Sequence, residues 1–192
     1  MNMRLILASA SPRRLDLLSQ IGITPHAVAV PEVDETPGAR ELPVDLAKRL
    51  AEAKAVTVAG QFPDDWVLAA DTVVACGRRI LGKPTDESQA RAFLELLSGR
   101  RHRVHGGIFL LGPDGRRLRR LVTTAVMFKR LSDAEIDAYL KGGEWQGKAG
   151  AYAIQGTAAA FIPKIIGSYS NVVGLALAET AALLRGAGAL SG

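Results

Sequence analysis

Apolar side chains first cluster at Leu5-Ile6-Leu7-Ala8, an unbroken run that predicts a short buried strand over residues 4–9. Ser11-Pro12 then opens a period of 3.6 in which Leu15, Leu17, Leu18 and Ile21 face inward, and Gly22 closes that helix. A second strand is predicted over 26–31. After a loop rich in Asp, Glu, Pro and Gly, the positions Leu46, Leu50, Ala53 and Val56 mark the inner face of another helix. Trp66 to Cys76 reads as a long strand.

In the second half, Asp86 starts a helix that runs through Leu97 and stops at Ser98-Gly99. Two strand-like runs follow, 103–111 and 118–128, with Pro113-Asp114-Gly115 between them as a hairpin signal. Ser132 and Glu135 form a capping box for a short helix to Leu140. A Gly-rich stretch, a strand and one helix over 170–184 complete the pattern, with 186–192 expected as a loose tail. Helices alternate with strands at first and a hairpin comes later, so the prediction is an α/β protein with a mixed sheet covered by helices.

Composition narrows the picture. A chain of 192 residues, 48% hydrophobic and 22% charged, has the balance of a packed protein, and one domain over 1–192 is expected, with two lobes around a cleft also allowed. The net charge of +5 favours an anionic ligand, although charge alone does not separate nucleotides from nucleic acid. Cys76 is the one cysteine, so neither an intrachain disulfide nor a cysteine-based zinc site can be built, which fits a reducing cytoplasm. The apolar start is shorter than a signal peptide needs, and charges such as Lys164 and Glu179 interrupt the weakly polar C-terminal third. A soluble, cytoplasmic protein with no membrane partner is expected.

Several segments break the local rules. Ser9-Ala10-Ser11-Pro12-Arg13-Arg14 lies where a strand hands over to a helix, and two arginines in a first turn oppose the helix dipole. A bound anion would cancel the conflict, so Ser9, Arg13 and Arg14 form a candidate phosphate cradle; the alternative is Ser11 as an ordinary N-cap with two solvated arginines. Asp71 interrupts the apolar run 67–75, and a buried carboxylate requires a metal ion, a lysine or a proton to compensate it. Val33-Asp34-Glu35-Thr36 offers further carboxylate oxygens of the kind that suit Mg2+ or Mn2+, although acidic loops are usually just solvated. Lys54 and Lys83 add cations that a triphosphate would need, and each also reads as a surface lysine.

Arg100, Arg101, His102, Arg103 and His105 follow a helix end, where cations are favourable without any ligand, although Arg101, Arg103 and His105 share one strand face. The small-residue segment 147–156 ends near Gln155, whose amide both donates and accepts and so can read a base edge or simply bond to a loop backbone. The chain contains no phosphate-binding Walker loop, no dinucleotide glycine fingerprint, no paired-histidine zinc helix and no serine nucleophile elbow.

Taken in order, Leu7-Ala8-Ser9-Ala10-Ser11-Pro12-Arg13-Arg14, Ala70-Asp71-Thr72-Val73-Val74, Gly82-Lys83-Pro84, Ser98-Gly99-Arg100, the segment 149–156 and the segment 167–175 resemble the Maf family of nucleotide pyrophosphatases. The resemblance implies an inosine-triphosphatase-like α/β fold, shared with Ham1 proteins, with two lobes around a central cleft. It also implies metal-dependent release of pyrophosphate from a nucleoside triphosphate, with Asp71 as proton acceptor, Glu35 and Asp71 toward the metal, and Ser9, Arg13, Arg14, Lys54 and Lys83 toward phosphate. Arg13, Thr72 and Gln155 match the branch that prefers dTTP and UTP, and differ from the branch acting on 7-methyl-GTP. A homodimer is implied, and no stable nucleic-acid partner.

Two positions depart from the family pattern. Ala176 stands where Pro is usual, which is expected to loosen the entry to the last helix, and Gly106 replaces a usual Thr. The family's older association with septum formation implies an alternative, a basic cleft that binds nucleotide or nucleic acid without turnover. Asp71 discriminates the two, because an electrostatic binder gains nothing from a buried carboxylate beside its phosphate site.

Overall fold

A computed structural model describes residues 4–190. Seven strands form one mixed sheet: β1 (Leu5–Ala8), β2 (Ala27–Ala29), β3 (Trp66–Cys76), β4 (Arg79–Leu81), β5 (Arg101–Leu111), β6 (Arg117–Met127) and β7 (Lys164–Ile166). Their order is β2-β1-β3-β5-β6-β7, with β4 folded back onto β3. β1 pairs in parallel with both β2 and β3, and the remaining pairs are antiparallel. The short β4 was not expected from the pattern, since three residues carry too little periodicity to register.

The helices are α1 (Pro12–Gln20), α2 (Pro43–Ala59), α3 (Glu87–Leu97), α4 (Asp133–Gly142), α5 (Tyr169–Val173) and α6 (Leu177–Ala187). Alternation along β3 divides its first half between two faces. Trp66, Leu68 and Ala70 pack with Leu17 and Leu18 of α1 and Leu183 and Leu184 of α6, whereas Val67 and Ala69 pack with Ala51, Ala55 and Val58 of α2. Beyond residue 73 the same strand serves another cluster, built from Val74, Val104 and Val126 with α3 and α4. β3 therefore runs through two packed regions, and Asp71 to Val73 lie where they meet.

Two adjacent glycines thin the sheet at that level. Gly107 pairs with Asp71, and a Cβ there would lie 2.2 Å from Ala47 O, so the α2 backbone rests directly on β5. Gly106 pairs with Thr72 and serves the opposite face, where α5 packs.

Some helical faces are rotated from the predicted ones. Leu15, Ile21 and Val56 are more than a third exposed, because buried positions at this spacing are filled instead by Arg14 in α1 and by Lys54 and Ala55 in α2. The helix predicted over 170–184 is two helices, split at Gly174, whose φ of 151° no helical residue adopts. The expected loose tail is corrected as well: α6 reaches Ala187, and Ala189 is buried against the α1/α6 cluster, while 191–192 lie outside the described residues. At Ala176 the entry to α6 is held by Leu177 N donating to Ser170 Oγ at 3.0 Å, so the lost Pro does not leave it untied. No helix among the described residues is long and apolar enough to cross a membrane.

Candidate active site

A cavity of roughly 450 Å3 opens where the two packed regions meet, a size that suits a nucleotide-sized ligand. Its wall includes five cations, Arg13, Arg14, Lys54, Lys83 and Lys148, against two carboxylates, Glu35 and Asp71. The excess of positive charge fits a polyanion.

Asp71 leaves β3 on the α2 face and is buried, and Lys54 of α2 answers it with Nζ 2.6 Å from Asp71 Oδ1. The same ammonium lies 2.6 Å from Glu35 Oε1, and Lys83 Nζ lies 3.6 Å from Glu35 Oε2. Lys54 thus supplies a compensating charge that a buried Asp71 requires. Burial works against the Glu35 carboxylate, but Lys54 and Lys83 outweigh it and hold its pKa below the ordinary value. Asp34 turns away and accepts from Thr36 N at 2.9 Å, so only Glu35 of that acidic pair faces the cavity.

Thr72, one residue on, leaves β3 on the other face and meets α1 and α5. Arg14 donates from Nε to Gly174 O at 2.9 Å, and its terminal nitrogens reach Ser9 Oγ at 3.3 Å and Thr72 Oγ1 at 3.2 Å. Burial lowers the Arg14 pKa, while Asp71 and Glu35 pull it back up. Arg13 Nε is buried without a hydrogen-bond partner among the described residues, and burial lowers its pKa as well. A buried cationic N–H with nothing to donate to is costly, and an anion in the cavity would satisfy it.

Ser9 is 2% exposed and is absent from the cavity wall; it accepts from Ser11 N at 3.1 Å and braces Arg14. Ser11 occupies the N-cap position of α1 but makes no side-chain cap, so the ordinary-cap reading lacks its defining bond. Gln155 is exposed at the cavity edge. None of Arg100, Arg101, His102, Arg103 and His105 lines the cavity; His102 is buried with Nε2 2.8 Å from Tyr152 Oη.

Lys148 is the cation that the sequence pattern did not single out. Its pKa is lowered by burial and by Arg13, so it belongs to the same field. The signal was weak: a lone Lys among glycines, where no period marks a face. Glu35 and Asp71 are the residues able to present oxygens to a divalent cation. The described residues hold no cluster of three or more His, Cys, Asp or Glu, so such a cation would complete its shell with water and ligand oxygens, as Mg2+ usually does.

Fold and cavity together define a mixed α/β protein with a cation-lined cleft and a lysine-paired carboxylate in its wall. The chain belongs to the Maf family: the model of the Maf-like proteins matches residues 4–187. It is 67% identical over 184 residues to a dTTP/UTP pyrophosphatase of Paramagnetospirillum magneticum, covering 96% of this chain and 97% of that one. A dTTP/UTP pyrophosphatase of Rhodospirillum rubrum is 60% identical, covering 96% and 88%. Among solved structures, a HAM1 protein from Coxiella burnetii aligns with a TM-score of 0.52 at 17% identity, over 96% of this chain and 99% of that one, a likeness of fold.

Proposed function

We propose that this protein hydrolyses dTTP and UTP to the monophosphate and pyrophosphate. The observation that carries the reading is the convergence of Arg13, Arg14, Lys54, Lys83 and Lys148 on the cavity that holds Asp71, in a chain so similar to proteins named for that activity. Water adds to one phosphorus of the α,β-bridge, the bridging P–O bond breaks, and the proton released by water goes to Asp71. Arg13 and Arg14 hold phosphate oxygens by directed N–H donors, and the lysines neutralise the charge that gathers on the leaving bridge oxygen. Ser9 acts through Arg14.

A divalent cation, Mg2+ or Mn2+, fits beside Glu35 and Asp71, and when bound it supplies charge neutralisation and polarises phosphoryl oxygens. Lys54 keeps the two carboxylates compensated. At the cavity edge, Gln155 reads the pyrimidine, with its amide donating to a base carbonyl and accepting from ring N3–H, while Thr72 and Arg13 complete the selectivity. We read the protein as cytoplasmic, without a stable nucleic-acid partner, and as a homodimer.

The test is pyrophosphate release from dTTP, UTP, GTP and 7-methyl-GTP with Mg2+ or Mn2+, repeated in excess chelator. Turnover of dTTP and UTP that chelator abolishes is expected. Binding without any release would instead favour the non-catalytic alternative, and full activity in chelator would remove the metal.

A further inference from the structure

Asn171 is 1% exposed, lies outside the cavity wall, and belongs to α5, a helix of one and a half turns. Its Nδ2 donates toward Val104 O of β5 at 3.1 Å, Val122 O of β6 at 3.3 Å and Thr124 Oγ1 at 3.0 Å. These bonds rivet α5 to the two long strands. Three residues on, Gly174 ends the helix, and its carbonyl accepts from Arg14 Nε at 2.9 Å and from Thr72 Oγ1 at 3.4 Å. The amide can sit there because residue 106 has no side chain: a Cβ on Gly106 would lie 1.9 Å from Asn171 Oδ1. Gly106 is the register partner of Thr72, so one spot on the sheet joins both.

We propose that Asn171, seated on Gly106, is a positioning residue that sets the Gly174 carbonyl and through it the orientation of Arg14 and Thr72, and so governs phosphate affinity and base preference. The inference rests on the pyrophosphatase reading for its kinetic consequences. Its physical content is independent of it. Arg14 has a long, flexible stem whose planar head must be aimed to be useful, and the anchored carbonyl does the aiming.

Two variants test it from opposite sides. Asn171→Ala removes the anchor, and Gly106→Ala keeps Asn171 but displaces its amide. Tripolyphosphate affinity is measured by calorimetry, and KM, kcat and the dTTP-to-GTP preference by pyrophosphate release. Both variants are expected to bind tripolyphosphate about tenfold more weakly, with KM raised more than kcat is lowered and base preference reduced, as loss of one well-aimed hydrogen-bonding group implies. In an Arg14→Ala background, Asn171→Ala is expected to add less than about twofold, because both changes remove the same interaction. Thr124→Val, which removes one acceptor of Asn171 and also the two bonds that Thr124 Oγ1 makes to Ser168 at the start of α5, loosens the same anchor and is expected to shift affinity in the same direction, and it serves if Asn171→Ala does not fold. Wild-type tripolyphosphate affinity in the folded variants, or fully additive losses with Arg14→Ala, would overturn the proposal. Failure of the wild type to hydrolyse any nucleotide would sink the pyrophosphatase reading, while the tripolyphosphate titrations would still decide Asn171.

Discussion

Lys54 Nζ lies 2.6 Å from Asp71 Oδ1, and neither side chain is more than a tenth exposed. A pair so placed is fragile to the loss of one member, since the survivor is left as an uncompensated buried charge. Lys54→Met is therefore expected to cost about 3 kcal/mol of stability. Lys54→Met with Asp71→Asn is expected to recover part of that loss, since Glu35 also loses Lys54 but is half-exposed and keeps Lys83. Urea denaturation of both, beside the wild type, makes the comparison; equal losses in the single and double variants would show that packing of the lysine stem matters more than its charge.

Asp71→Asn on its own keeps the side-chain shape and removes the proton acceptor. The folded variant is expected to lose about 10²-fold or more in kcat. A variant that folds and releases pyrophosphate at the wild-type rate would take Asp71 out of the chemistry.

Gln155→Glu addresses base choice. A carboxylate suits the paired N–H donors of a guanine edge and repels the carbonyls of uracil and thymine. The dTTP-to-GTP ratio of kcat/KM is expected to fall by about tenfold, the lower end of the roughly 1–3 kcal/mol cost of an unpaired carbonyl, because Gln155 is exposed at the cavity edge. An unchanged ratio in an active variant would mean that Gln155 does not touch the base.

His102, which lines no part of the cavity but hydrogen-bonds to Tyr152 of its wall, gives the protein an acid-sensitive step. Burial beside Phe128 and Tyr152 pushes its pKa from the ordinary 6.5 down to about 4. The folded state keeps the ring neutral while the unfolded chain binds a proton below pH 6.5, so the stabilisation is complete above that pH and is lost as pH falls toward 4. The full loss amounts to about 3 kcal/mol. Between pH 7 and pH 4 the stability of wild type relative to His102→Gln is expected to fall by about 3 kcal/mol, most of it below pH 6; parallel curves would contradict the burial argument.

Much of the frame was legible in the sequence because its long strands are continuous apolar runs and its caps are chemically explicit, as with Ser132 and Glu135 at α4. Asp71 and Arg14 were legible for the opposite reason, since each violates the pattern around it. What escaped depends on contacts between distant segments. Gly174 splits the last helix because its carbonyl turns to Arg14, 160 residues earlier, and no local propensity encodes that partner. Ser9 stands behind Arg14 and not in the cavity wall, a distinction that a strand-to-helix loop does not disclose in sequence, since it does not show which of its hydroxyls points outward. Periodicity points Leu15 and Val56 inward, and it cannot foresee that a polar site claims the neighbouring inward positions for Arg14 and Lys54.

The contact between Gly107 and Ala47 O acts as a gauge for the whole arrangement. A helix resting on bare backbone stands at its minimum height above the sheet, and a lysine stem has a fixed length. Any side chain at position 107 would be a shim under α2, lifting Lys54 away from a carboxylate it now reaches at 2.6 Å. The spacing of this acid and base is thereby set by the thickness of a missing methyl group on the strand beside Asp71.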